Sequence, residues 1–161
     1  MNGPTRHCIF CDLIQGAAEV SVCYEDAAAM AFMDIQPVNL GHTLVVPKAH
    51  YESLKDVPRD VAMHLFDVAM TLAPVIQRSS GCEDMNIVVN SGHMAGQNVF
   101  HYHVHLIPRR ADDNFDIALP FEGSAMPDRT FLDAIAARII AGLRDPARQT
   151  ATHTSRAVRA G

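Results

Sequence analysis

The sequence predicts an α+β domain with an antiparallel sheet of about five strands, and three observations predict it. Short apolar runs bounded by turn residues follow one another instead of alternating with helices. One longer stretch, Val61, Leu65, Val68, Leu72 and Val75, repeats every three or four residues and interrupts that series as a single amphipathic helix. The chain has 161 residues, 48% of them hydrophobic, which suits one buried core.

The elements follow in order. Ile9, Phe10, Leu13 and Ile14 stand at helical spacing ahead of Gly16, so a short N-terminal helix opens the chain. Val20 to Tyr24 and Ala28 to Met33 read as two strands around a turn at Glu25-Asp26. Pro37 to Gly41 reads as a loop. His42 to Val46 is a third strand, ended by Pro47, which has no N–H to offer a central ladder. Pro58 suits the start of the long helix, whereas Pro74 is expected to kink or end it. Met85 to Asn90 is a short apolar strand, and Ser91 to Asn98 a polar loop containing glycine. Val99 to Ile107 is the last strand, closed by Pro108. A late helix is expected around Phe131, Ile135 and Ile139, with Thr130 as N-cap and Gly142 near its end. The tail from Asp145 has no apolar period and is expected to be loose.

Composition narrows the function. A net charge of -5 does not supply the clustered Lys and Arg that a nucleic-acid backbone requires, so no nucleic-acid partner is expected. A small anionic ligand remains compatible, because local dipoles and a few cationic groups suffice to hold it. No stretch approaches the ~20 apolar residues of a membrane helix, and the first residues lack the apolar run of a signal peptide. The 4 cysteines are too few for a secreted disulfide scaffold. A cytoplasmic protein without a membrane partner is expected.

The segment His101-Tyr102-His103-Val104-His105 carries the chemistry. On a strand, alternate side chains share a face, so the three imidazoles would lie together. Phe100, Tyr102, Val104 and Leu106 would face the core. Three readings compete: a solvated polar face, three ligands of one catalytic metal, or a division of labour among nucleophile, phosphate partner and structural group. The last is chemically coherent. A neutral imidazole is nucleophilic at neutral pH without an added base, and phosphorus is a suitable target. The preceding loop supplies Gly92, Gly96, Gln97 and Asn98, with small residues, amide donors and close backbone approach for a phosphate.

The run Gly96-Gln97-Asn98-Val99-Phe100-His101-Tyr102-His103-Val104-His105-Leu106-Ile107-Pro108-Arg109 closely resembles the signature of the histidine triad (HIT) family. Cys8-Ile9-Phe10-Cys11 is similar to that family's N-terminal segment. Phe32-Met33-Asp34-Ile35-Gln36-Pro37 and Gly41-His42-Thr43-Leu44-Val45-Val46-Pro47-Lys48-Ala49-His50 resemble its central blocks, in the same order. The resemblance implies a HIT-like fold, with residues 1–122 as the HIT domain and 123–161 as a C-terminal extension. It also implies a homodimer.

By this resemblance the chain hydrolyses or transfers at the α-phosphate of nucleoside phosphoramidates or dinucleoside polyphosphates, with purine nucleotides such as AMP or GMP conjugates most usual. His103 is then the nucleophile and carries the nucleotide covalently. His105 hydrogen-bonds the phosphate or bridging oxygen, and His42 is the additional active-site histidine. Asp34 binds ribose hydroxyls, while Ile9, Phe10, Leu13, Phe32 and Ile35 line the base pocket. Asn90, Gly96, Gln97 and Asn98 serve the phosphate, although many relatives have Ser, Thr or Glu where this chain has Asn98. Two rivals stand beside this reading: a purine-nucleotide-binding or scaffold protein with weak incidental hydrolysis, and a zinc hydrolase whose triad ligates the metal.

Cys8-x-x-Cys11 alone fits a redox pair, a disulfide or half of a metal site. Some bacterial family members bind structural zinc through two such cysteines, a histidine of the central block and the first triad histidine. Here the implied set is Cys8, Cys11, His50 and His101, with zinc as a structural cofactor.

Overall fold

The computed structural model describes residues 7–117 and 127–144. The chain divides after Asp116 into two units. The first carries α1 (Ile9–Ile14), β1 (Val22–Glu25), β2 (Ala29–Met33), β3 (Thr43–Pro47), α2 (Arg59–Ser80), β4 (Asp84–Val88), a 3-10 turn (His93–Ala95) and β5 (Val104–Arg109). The expected domain boundary at 122/123 and the tail from Asp145 lie outside the described residues. Among those residues no helix is long and apolar enough to cross a membrane.

All five strands form one antiparallel sheet in the order β1-β2-β3-β5-β4. Alternation along the central strands gives the sheet two buried faces. Ala29, Ala31, Val45, Val104 and Leu106 meet Leu65, Val68, Ala69 and Ile76 of α2. Met30, Phe32, Leu44 and Val46 face the other way and are covered by Phe10 of α1, with Leu13, Ile14, Val20 and Val99 around it. The functional site grows on this second face, under the shorter and lighter cover.

Three expectations need correction. The long helix does not stop at Pro74; it runs on to Ser80 and ends at Gly81, whose φ of 68° permits the left-handed cap. Ile76 and Ser80 are buried, so packing holds the last turns. The Pro74 ring is exposed, which lets the carbonyl freed at Met70 turn to water. The last strand begins at Val104, not Val99, and Pro108 lies inside it. Pairing of β5 with β3 ends opposite Thr43, at Leu106, so a missing N–H at Pro108 breaks no bond on that side. Because residues 99–103 are outside the ladder, Phe100 leaves the core face and is 36% exposed. In the second unit α3 spans Arg129–Leu143, and its N-cap is Asp128 instead of Thr130. The Asp128 carboxylate, a better acceptor two residues earlier, accepts from the Thr130 N–H and hydroxyl.

Gly41 joins the loop before β3 to the end of the sheet. Its φ is 97°, and a Cβ there would lie 3.2 Å from Pro108 Cγ and Ser80 Cβ and 3.3 Å from Ile76 Cγ2. Both the torsion and the space demand glycine. Gly41→Ala is expected to cost about 2 kcal/mol, from strain at positive φ plus overpacking. Urea denaturation measures it, and an unchanged midpoint would show that the loop relaxes freely.

Candidate active site and metal centre

The site is built from the loop between β2 and β3, the approach to β5, and α1. His103 and His105 line a cavity of about 780 Å³, together with Ile9, Phe10, Leu13, Phe32, Asp34, Ile35, Asn90, Gly96 and Asn98. That is room for a nucleotide-sized ligand. The walls are apolar on the α1 side and polar at the triad end. Ile35 is 95% exposed and stands at the mouth. Of the pocket residues named from sequence, one is displaced: Gln97 does not line the cavity. It is buried, its Oε1 accepts from the Gly92 N–H at 2.8 Å, and its Nε2 donates to the carbonyls of Glu52 (2.6 Å) and Val99 (3.1 Å). Its amide closes the Ser91–Asn98 loop and has no N–H left for a phosphate.

Sequence reasoning missed other lining residues, among them Val20, Leu44 and Val99. Leu44 was discoverable, since alternation puts it on the face of Phe32. Glu19, Ser21 and Gln36 carried no signal.

Only His105 lies on a strand, yet alternation persists through the irregular approach: Tyr102 and Val104 pack against α2, and His103 and His105 stand on the α1 face. Their rings are 4.7 Å apart, centroid to centroid. Phe10 stands edge-on to both His101 and His103 at 5.8 and 5.3 Å.

The neighbours fix where each imidazole keeps its proton. A carbonyl can only accept, so His103 Nδ1 donates to the His101 carbonyl at 2.6 Å and leaves Nε2 with a lone pair. By the same logic His101 Nε2 donates to the Pro47 carbonyl at 2.8 Å, leaving Nδ1 with a lone pair. At His42 the Val38 N–H donates to Nδ1 at 3.2 Å, so the proton sits on Nε2 and points at His105 Nδ1, 3.0 Å away. His105 therefore carries its own proton on Nε2. Burial pushes all four pKa values down, to about 4 for His101 and His105, so these rings are neutral at pH 7. Asp34 Oδ2 is 3.5 Å from His42 Nδ1, and its Oδ1 accepts from the Gln36 N–H at 2.9 Å.

Beside this cavity Cys8, Cys11, His50 and His101 bring four ligand atoms within 4.8 Å of one another. Cys8 Sγ and Cys11 Sγ lie 3.5 and 3.6 Å from His101 Nδ1, and Cys11 Sγ lies 3.3 Å from His50 Nδ1. A tetrahedral zinc with ordinary Zn–S and Zn–N lengths has S···N edges of about 3.5 Å. The donor set therefore fits a closed structural ion, and the Pro47 carbonyl supplies the outer hydrogen bond that orients a ligating histidine. Partial burial and the adjacent Cys8 thiol push the Cys11 pKa up to about 11, which is the cost a dication would remove. Asp34, His42 and His105 also come within 4.8 Å, but a proton already occupies the space between the two imidazoles. Among the described residues the three triad histidines do not converge on one ion.

An antiparallel five-stranded sheet whose last strand is entered by three alternating histidines, His101 and His103 buried and His105 partly so, defines a recognisable class. The chain matches the HIT domain over residues 15–112 and belongs to that family of nucleotide-binding hydrolases and transferases. It superposes on a Streptococcus mutans protein with a TM-score of 0.81 at 37% identity, covering 89% of this chain and 90% of that one. A zinc-bound histidine triad family protein from Mycobacterium smegmatis gives a TM-score of 0.65 at 32% identity, covering 84% and 96%. An adenylylsulfatase of Arabidopsis thaliana is 35% identical over 106 residues, 66% of this chain, which spans about half (54%) of that relative.

Proposed function

We propose that the protein cleaves nucleotide conjugates at the α-phosphate, through a covalent nucleotidyl-His103. One observation carries this reading. The His101 carbonyl holds the proton of His103 on Nδ1, so Nε2 offers a lone pair at the wall of the cavity. In the first half-reaction a bond forms from Nε2 to phosphorus while the bond to the leaving group breaks. His105 Nε2–H donates a hydrogen bond to the phosphoryl oxygen or the departing atom, where negative charge resides, and the departing amine of a phosphoramidate takes its proton from solvent. In the second half, water attacks the same phosphorus and the P–N bond breaks. The water's proton leaves to solvent, and His103 recovers its lone pair.

The remaining groups take supporting roles. Asp34 accepts the ribose hydroxyls, Asn90, Gly96 and Asn98 hold the phosphate, and Ile9, Phe10, Leu13, Phe32 and Ile35 sandwich a purine. Phosphoramidates and dinucleoside polyphosphates such as AMP or GMP conjugates suit these contacts, and the named activity of the Arabidopsis relative supports an adenylyl centre. Residues Cys8, Cys11, His50 and His101 would hold structural zinc, as the zinc-bound Mycobacterium relative supports. The ion would tie α1 to the triad and take no part in the displacement.

Trapping tests the covalent step. Rapid acid-free quenching with an adenosine phosphoramidate should leave one adenylyl group on the peptide containing His103. Turnover with the label on any other residue would overturn the mechanism.

We also propose a dimer. Strand β4 is one edge of the sheet, with Ile87 and Val89 exposed beside it, and Met63, Phe66 and Met70 are exposed along one stripe of α2. Sedimentation velocity should give twice the 17.6 kDa chain mass, and a single species at 17.6 kDa would refute this.

A further inference from the structure

His42 faces two opposed influences at Nδ1. The Asp34 carboxylate, 3.5 Å away, favours a proton there; the Val38 N–H, 3.2 Å away, excludes one. The outcome decides which nitrogen of His105 carries hydrogen. With the proton excluded, His42 Nε2–H donates to His105 Nδ1 and His105 keeps Nε2–H for the substrate. With the proton on His42 Nδ1, the bond between the rings reverses and His105 Nε2 has nothing to donate.

Val38 belongs to the loop between β2 and β3, and that loop is tied down at its next residue. The Asn39 amide donates to the Pro108 carbonyl and to Asp113 Oδ2, both at 2.8 Å, and the Asn39 carbonyl accepts from the His42 N–H at 3.0 Å. Asp113 is in turn immobilised. Its side chain is 3% exposed and accepts from Arg109 Nε (2.7 Å) and Nη2 (3.0 Å) and from the N–H groups of Arg110 and Phe115, both at 3.0 Å.

We infer that Asn39 and Asp113 are positioning residues that hold the Val38 N–H against His42 and thereby keep the His105 proton on Nε2. The inference rests on the role given to His105 above. It gives the turn after β5 a function in the site, although Asp113 lines no part of the cavity.

Histidine-labelled ¹⁵N spectra of the free, full-length protein read the tautomers without any substrate. Wild type should show His42 and His105 both as Nε2–H. In Asn39→Ala, His42 should shift to Nδ1–H and His105 to Nδ1–H. Adding Asp34→Asn to Asn39→Ala should return both to Nε2–H, because the carboxylate that attracts the proton is gone; a purely structural role predicts no such return. With a nucleotide conjugate, Asn39→Ala should lower kcat about 10-fold with KM within about twofold, the size of one lost hydrogen bond to a charged oxygen. Should Asn39→Ala misfold, Asn39→Ser retains one tether and should show both tautomers. Unchanged tautomers in a folded Asn39 variant would overturn the inference. Shifted tautomers in a protein that turns over no nucleotide would leave it standing and remove the proposed function instead.

Discussion

His103→Ala is expected to lower turnover of a nucleotide conjugate by about 10⁴-fold or more, because it removes the lone pair that the proposed displacement uses. Binding should survive. His103 Nδ1 bonds only to the His101 carbonyl, and its ring contacts Phe10 and His105, so alanine removes a nucleophile from an otherwise standing pocket. Affinity for the nucleoside monophosphate product, measured calorimetrically, should remain within about fivefold, since the apolar base pocket supplies most of it. A variant that binds but does not turn over separates the enzyme from a scaffold whose hydrolysis is incidental. Activity retained within tenfold would end the covalent reading.

Loss of the proposed zinc is the second large expected effect. Cys11→Ser, or exhaustive chelation, is expected to lower the melting temperature by about 10 °C or more, since structural zinc contributes several kcal/mol to folding. Activity should fall with the fold and not before it. Cys8 caps α1, Cys11 lies within it, and Phe10 stands between the two cysteines, packed on Phe32, His101 and His103. Releasing the cysteines frees that plug as well as the ligands. A thermal scan with metal analysis checks this. A zinc-free chain of unchanged melting temperature would refute the structural role. Reversible loss of turnover at unchanged stability would point to catalytic metal instead.

Much of this was legible in the sequence because the patterns were local. Periodicity placed α1 and α2, and short apolar runs between turn residues placed β2 and β3. The histidine row was visible for the same reason, although its first members sit outside the ladder. The failures came where tertiary contacts overrode local rules. Pro74 stayed inside a helix because Ile76 and Ser80 were buried beyond it. Gln97 had the chemistry of a phosphate donor, but its amide was needed to close a loop on Glu52 and Val99. Asn39 and Asp113 carried no sequence signal at all, since 74 positions separate them and only the folded sheet end brings them together.

Helix α1 is six residues, about 9 Å long, and a helix of that length does not persist alone in water. Its place depends on Phe10 and on the cysteines at its start. The opposite wall, at Leu44, belongs to a central strand bonded on both sides. The cavity thus has one wall whose stability comes from its tertiary contacts and one whose stability comes from the whole sheet. Local cross-contacts hold the one wall and hydrogen-bonded strand ladders the other.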